Sequence, residues 1–321
     1  MLIGVLLKKG YIEEDRPILY MYEDIRRYIL RNGYNIEILF NIDDINLKKE
    51  YLSGIVIQDD TNLDIDIPCI KIDNIDLVNK LDEFFNSCLS NRKKVKNNNK
   101  TIGITCRYYE LDNPIIYISK NVYDVFSKLC DVRLIIPVQD VCYPITRGRD
   151  FPLLTNNDKK LIHKQIDMVD GLLFPGGYKF TPHDRYIFDY SVEKDIPVLG
   201  ICLGMQLISC FNKDVDIIPI DTGVNHKQVN DLEFCHYVNI DKNSLLYKIV
   251  GKERIKVNSF HKMTIKPNNK LNIVALSDDG VIEGLEYPNK KFIMGLQWHP
   301  EISYNIDESS KKIIDYFVEV L

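Results

Sequence analysis

Short apolar runs alternate with amphipathic stretches of helical spacing through the first two hundred residues, and that alternation restricts the architecture. Strands that are each followed by a helix pair in parallel, with helices on both faces of the sheet. The pattern occurs twice. "LIGVLLKKGYIEEDRPILYMYEDIRRYILRNGYNIEILF" opens the chain, and "TIGITCRYYELDNPIIYISKNVYDVFSKLCDVRLIIPV" begins at residue 101. Each gives a strand, a polar loop, a Pro-Ile-Leu/Ile-Tyr step, a helix and a second strand. The match continues, with "SGIVIQDD" (53–60) against "DGLLFPGG" (170–177) and "IPCIKID" (67–73) against "IPVLGIC" (196–202). Between the copies lies "NRKKVKNNNK" (91–100), which has five basic residues, four Asn and no acid, the composition of a solvated linker. The predicted division is a shortened α/β repeat over 1–92, a linker over 93–100 and a complete domain over 101–321.

Beyond residue 202 the pattern changes. "RIKVNSF", "LNIVALS", "GVIEGLEY" and "KFIMGLQW" are short strands separated by Asn, Asp, Gly and Pro. They predict antiparallel or mixed strands added to the parallel sheet. "DESSKKIIDYFVEVL" predicts a closing helix capped by Asp307 or Ser309, with Ile313, Ile314, Phe317 and Leu321 on one stripe.

Composition excludes several classes. The net charge of −5 gives no electrostatic reason to expect nucleic acid. No apolar run approaches the roughly 20 residues a bilayer span needs, and "MLIGVLLKKG" lacks a signal peptide's basic region, so no membrane partner is expected. The eight cysteines show no paired spacing and no C-x-x-C, which predicts a reducing cytoplasm and neither a disulfide framework nor a zinc site.

One of those cysteines stands apart. "VLGICLGMQLIS" (198–209) places Cys202 between Gly200 and Gly204, where an apolar strand must turn into a helix. Such a turn exposes its side chain and aims the free N–H groups of the helix at it. A thiol there gains thiolate character, and the thiolate is the nucleophile. Cys69, Cys88, Cys106, Cys130, Cys142, Cys210 and Cys235 lack that setting.

A nucleophilic thiol needs a base, and the base an orienting acceptor. "GLQWHPE" (295–301) supplies His299 and Glu301 around Pro300, which biases His299 toward an extended conformation and holds imidazole and carboxylate at a defined separation on one strand end. "LLFPGGY" (172–178) ends a buried strand in a turn that can present a backbone N–H, from Gly177 or a neighbour. Leu203 N–H would be the second donor of an oxyanion hole. Among the remaining candidates, His183, His226 and His236 show no ligand spacing and read as surface or core residues. Asn258 and Ser259 read as carboxylate donors or turn residues, and Glu283 as solvent-facing.

"PGG", "GICLGMQ" and "HPE", in that order, resemble the class I glutamine amidotransferase superfamily. "VNSFHKM" (257–263), "DDGVIEGLEY" (278–287) and "GLQWHPE" make the chain most similar to its γ-glutamyl-γ-aminobutyrate hydrolase, or C26 peptidase, branch. The resemblance covers roughly 101–321. It implies a flavodoxin-like α/β fold with a Cys202–His299–Glu301 triad and an oxyanion hole at Gly177 and Leu203. Gly176, Gln206 and His261 would lie near the substrate, and neither a metal nor an organic cofactor is implied. Three positions depart from the branch: Leu203 where Arg is usual, Lys179 where Asp is frequent, and Lys262 in place of a second His.

The expected function is hydrolysis of γ-glutamyl amide bonds through a thioester on Cys202. The alternatives are a glutaminase subunit supplying ammonia to a separate synthetase, a γ-glutamyl transferase, and a non-catalytic binding module. The expected partner is a small-molecule γ-glutamyl amide, with room left for a homodimer or a synthetase. The first copy has Asp73 at the place of Cys202, Asp60 at the place of Gly177, and no His before His163, so it is expected to lack a triad.

Overall fold

The computed structural model describes residues 2–12, 16–31, 34–50, 52–58, 61–72, 81, 84, 99–109, 114–138, 143–144, 154–180, 182–211, 215–227, 234–267 and 271–321. Asp60, Asp73 and linker residues 93–98 lie outside these. Two compact units emerge, one of Met1–Asn99 with Tyr108–Lys120, the other of Lys100–Arg107 with Asn121–Leu321. The division therefore departs from the one drawn at 93–100. Residues 108–120 group with the first unit because a strand within them pairs there.

In the first unit β1 (Leu2–Leu6), β2 (Lys8–Ile12), β3 (Arg16–Tyr22), α1 (Glu23–Arg31), β4 (Asn35–Leu39), α2 (Ile42–Lys48), β5 (Gly54–Ile57) and β6 (Cys69–Lys71) follow in order. Strands β4-β1-β5-β6 form a parallel sheet. Next in the chain come β7 (Thr101–Thr105), which belongs to the second unit, then β8 (Arg107–Tyr109) and β9 (Ile115–Ser119). The second sheet, β2-β3-β9-β8, pairs β3 with β9 antiparallel around Tyr20↔Tyr117. These two tyrosines hold equivalent places in the two Pro-Ile-Leu/Ile-Tyr steps, so the repeated segments meet at matching positions.

The second unit continues through α3 (Lys120–Phe126), β10 (Asp131–Ile135), β11 (Tyr143–Pro144), α4 (Asn156–Ile166), β12 (Gly171–Phe174), β13 (Lys179–Phe180), α5 (Pro182–Lys194), β14 (Val198–Ile201) and α6 (Leu203–Phe211). It ends with β15 (Ile217–Pro219), β16 (His236–Ile240), α7 (Leu245–Val250), β17 (Arg254–Val257), β18 (Met263–Ile265), β19 (Asn272–Ser277), β20 (Ile282–Glu286), β21 (Ile293–Leu296), α8 (Pro300–Ser303) and α9 (Glu308–Val320). Its nine-stranded sheet runs β10-β7-β12-β14-β21-β20-β19-β16-β17. The five strands from β10 to β21 are parallel, and the remaining pairings are antiparallel. The late strands are thus appended to the parallel sheet, as their turn-rich spacing predicts. Asp307 caps α9, accepting from Ser310 N at 2.7 Å, and Ile313, Ile314 and Phe317 are buried.

The second unit has the flavodoxin-like α/β architecture that the resemblance implies, and the first unit repeats part of it. Order β4-β1-β5-β6 reproduces order β10-β7-β12-β14. The register agrees too: Leu2↔Asn35 matches Thr101↔Asp131, and Ile3↔Gly54 matches Ile102↔Gly171. Central strands β12, β14 and β21 are buried throughout, as strands covered on both faces must be. Their C-terminal ends carry the residues considered next.

Candidate active site

Cys202 links β14 to α6 with φ +52°, a left-handed conformation rare for any residue with a Cβ. Two backbone bonds hold it there. Its N–H donates to Leu296 O at 2.7 Å, and its carbonyl accepts from Gln206 N at 3.1 Å, the first bond of the helix. The helix enters close against the sheet. A Cβ at Gly204 would lie 1.9 Å from Phe174 O, so only glycine fits. The turn leaves the Cys202 side chain 8% exposed at the sheet's carboxyl edge.

His299 ends the segment after β21 and precedes α8, with Pro300 at the first helical position. The structure corrects one detail of the prediction: Glu301 lies in the first turn of this helix, not on a strand end. His299 Nδ1 lies 2.7 Å from Glu301 Oε1, and the carboxylate is buried. Because Nδ1–H donates to Glu301, Nε2 is left for chemistry. Burial alone would pull the His299 pKa down. The Glu301 carboxylate, then the charge of and a hydrogen bond with Cys202, outweigh it, so the imidazole is pushed up to about 10. Asn258 holds the backbone of His299. Its Oδ1 accepts from His299 N at 2.8 Å, and its Nδ2 donates to His299 O at 2.7 Å. Phe260 packs edge-on against the imidazole with ring centroids 5.4 Å apart.

The Pro-Gly-Gly turn joins these residues. A Cβ at Gly176 would lie 2.8 Å from His299 Cε1 and 3.6 Å from Cys202 Cβ. Arg107, which the sequence reading passed over, fixes this turn from behind. Its Nε and Nη2 donate to Pro175 O at 3.0 and 2.8 Å, and its guanidinium faces Asp184 at 3.4 Å, both side chains fully buried. With the Pro175 carbonyl held toward Arg107, the planar peptide turns Gly176 N–H the opposite way.

The other predicted residues fall as follows. Leu203 begins α6, beside Cys202. Gln206 is buried and donates to Met263 O and Gln297 Oε1, each at 3.1 Å, tying α6 to the segments around 263 and 297. His261 is also buried, with Nδ1 3.0 Å from Met263 O and Nε2 3.4 Å from Glu283 Oε1. Glu283 overturns its prediction. It is fully buried rather than solvent-facing, because β20 is interior to the nine-stranded sheet and both its faces are covered. His226 and His236 join His261 around it. Burial would raise the Glu283 pKa, but His226 and His261 outweigh this and lower it. For His226, Glu283 and Asp279 outweigh burial and raise the pKa, whereas for His236 burial prevails and lowers it. Spacing gave no sign of this cluster, since its members come from four separate segments. Among the described residues no helix is long and apolar enough to cross a membrane.

A cysteine at a strand–helix elbow beside a carboxylate-bound histidine, at the carboxyl edge of a parallel sheet, defines a class: an α/β enzyme of the hydrolase or amidotransferase type. Residues 184–301 match the Peptidase C26 family. A candidate glutamine amidotransferase of Schizosaccharomyces pombe is 30% identical over 186 residues, covering 47% of this chain and 69% of that protein. A CTP synthase of Borreliella burgdorferi is 26% identical over 278 residues, 75% of this chain and 48% of that enzyme. The glutaminase domain of Trypanosoma brucei CTP synthase superposes with a TM-score of 0.45 at 19% identity, over 69% of this chain and 93% of that domain. The chain belongs to the class I glutamine amidotransferase superfamily, in its C26 family.

Two outcomes follow from the geometry. Left-handed φ costs a residue with a Cβ about 1–2 kcal/mol and glycine nothing. Cys202→Gly is therefore expected to be more stable than Cys202→Ala by about 1 kcal/mol, the reverse of the usual ranking, as measured by urea denaturation. The second concerns pH. The folded-state pKa of His299 is raised, so the stabilisation from its pairing is complete below pH about 6.5 and is lost as pH rises through about 10. The basic limb of kcat/KM is expected near pH 10. Glu301→Gln removes the largest raising influence and should move that limb to lower pH; an unmoved limb would exclude Glu301 as the partner.

Proposed function

We propose that this chain is a cysteine-dependent hydrolase of γ-glutamyl amide bonds, with Cys202, His299 and Glu301 as its triad. The observation that carries this reading is the pairing of His299 with Glu301 beside Cys202, which favours a protonated imidazole next to the sulfur. The thiolate attacks the γ-carbonyl. The oxyanion is received by the N–H groups of Gly177 and Leu203, with Gly176 close by. As the C–N bond breaks, the imidazolium gives its proton to the leaving amine. A γ-glutamyl thioester remains on Cys202. Water attacks it, His299 takes the water's proton, and glutamate leaves as the thiolate is restored. Glu301 orients the ring throughout, and positioned acid–base catalysis of this kind contributes about 10²–10⁴ in rate. With an amine in place of water the same site would be a γ-glutamyl transferase.

Gln206 is proposed as a positioning residue, since both its donor bonds go to protein groups. His261 was expected near the substrate. Its burial and its place in the Glu283 cluster support a structural role instead. Residues 1–92 are proposed as a duplicated unit without a triad, with a structural or interaction role. The matching strand order supports the duplication, and the lack of any histidine before His163 supports the missing triad. The free thiols among the described residues fit a reducing compartment such as the cytoplasm.

A second reading is a glutaminase that supplies ammonia to a separate synthetase. It is favoured by the likeness to a CTP synthase over three-quarters of the chain and by Leu203, the amidotransferase-like residue after the nucleophile.

A panel of γ-glutamyl amides, glutamine included, assayed for released glutamate separates the two. Hydrolysis of several amides by the isolated chain, reduced to background in Cys202→Ala, is the expected result. Glutamine turnover that stays silent until a synthetase is added would favour the second reading, and undiminished turnover by Cys202→Ala would overturn both.

A further inference from the structure

Four buried side chains converge in the second unit: His226, His236 at the start of β16, His261 between β17 and β18, and Glu283 of β20. Each offers one ligand atom, and these atoms all lie within 4.8 Å of one another. From Glu283 Oε1 the distances are 3.2 Å to His226 Nδ1, 3.4 Å to His236 Nε2 and 3.4 Å to His261 Nε2. The outward nitrogens of the rings are all engaged. His226 Nε2 faces Asp279 Oδ2 at 3.1 Å, His236 Nδ1 faces Tyr237 O at 3.3 Å, and His261 Nδ1 faces Met263 O at 3.0 Å. Asp279 is itself held by the hydroxyls of Thr222 and Ser277.

The proton positions follow from these partners. Carbonyl and carboxylate oxygens only accept, so each outward nitrogen is a donor, and a ring that coordinates a metal keeps its proton there. Each inward nitrogen then presents a lone pair. In that state three lone pairs and a carboxylate face one another among buried side chains. None of His226 Nδ1, His236 Nε2, His261 Nε2, Glu283 Oε1 or Glu283 Oε2 has a hydrogen-bond partner. Converging acceptors repel, and each unsatisfied buried one is costly. A cation shared among them turns the repulsion into coordination. Imidazoles whose second nitrogen is anchored to a carbonyl or carboxylate have the outer-shell arrangement that orients histidines toward a metal.

We propose that His226, His236, His261 and Glu283 bind a divalent transition-metal ion, foremost zinc, as a closed structural site. Three imidazoles and a carboxylate suit zinc, and tetrahedral bonds of about 2.0–2.1 Å give ligand–ligand edges of about 3.3 Å. The three edges at Glu283 Oε1 already have that length. Four protein ligands leave no open position, as structural zinc sites do. The ion would lock together the segments that support the candidate active site. Ser259 Oγ and His261 N both donate to His226 O, at 2.7 and 2.9 Å. Gln297 N donates to Glu283 O at 2.8 Å, two residues before His299, and Asn258 grips His299 from the other side.

The test uses the whole chain, purified from zinc-supplemented cells, desalted, and analysed for metal by mass spectrometry. Zinc at about one equivalent per chain is expected. His236→Gln and Glu283→Gln are each expected to lose it, whereas Cys202→Ala keeps it. Asp279→Asn, which removes an outer-shell partner, should weaken zinc binding about 10–100-fold. Chelation should lower the melting temperature of the wild-type chain, and added zinc should restore it. A folded wild-type chain that takes up neither zinc nor cobalt would overturn the proposal, leaving protons alone to satisfy the cluster. Zinc held equally well by both ligand variants would overturn it as well. If those variants fail to fold, the cobalt-substituted wild type decides. Intense visible bands of tetrahedral coordination without thiolate charge transfer are expected, and octahedral or thiolate-type spectra would contradict the site.

Discussion

The candidate active site depends on the left-handed turn at Cys202. A backbone in that region is held only when its surroundings over-determine it. Here strand β21 binds the Cys202 amide, the first helical bond binds its carbonyl, and Gly204 lets the helix press against Phe174 O. The result is a thiol fixed at the carboxyl edge of the sheet, where the ends of adjacent parallel strands can bring other groups to it. Strand β12 delivers the Pro-Gly-Gly turn, and β21 leads to His299. Parallel neighbours deliver their C-terminal ends to one edge, so three segments distant in sequence converge without any long-range coincidence.

That scaffold is supported by groups that do no chemistry. The buried Arg107–Asp184 pair fixes the carbonyl of Pro175, and Asn258 fixes both backbone polar groups of His299. Both arrangements place a hydrogen-bonding side chain behind a loop that could otherwise choose among conformations. The Glu283 cluster lies one step further out, linked to His299 through Gln297 and through the 258–263 segment.

Much of this was legible in the sequence. Alternating strands and helices give the parallel sheet, and "GICLG" requires a tight strand–helix turn. Pro300 just after His299 marks a helix start, and it was the helix rather than a strand end that the sequence reading missed. The supports were hidden because they act through tertiary contacts. Arg107 and Asp184 are 77 residues apart, and nothing local distinguishes them from surface charges. Glu283 sits in an alternating strand whose two faces are both covered, so periodicity pointed it to solvent when the neighbouring strands enclose it. Residues 108–120 group with the first unit because β9 pairs with β3, a tertiary pairing that linker composition does not encode.

The claim on which the account rests is that Cys202 forms the bond to the γ-carbonyl group. It is tested most directly by treating the intact chain with 6-diazo-5-oxo-L-norleucine, an electrophilic γ-glutamyl analogue, and mapping the adduct by peptide mass spectrometry. The account predicts a single adduct on the peptide bearing Cys202, formed in step with loss of activity and suppressed by glutamine. Inactivation with Cys202 unmodified, or an adduct on any other residue that tracks the loss, would contradict it.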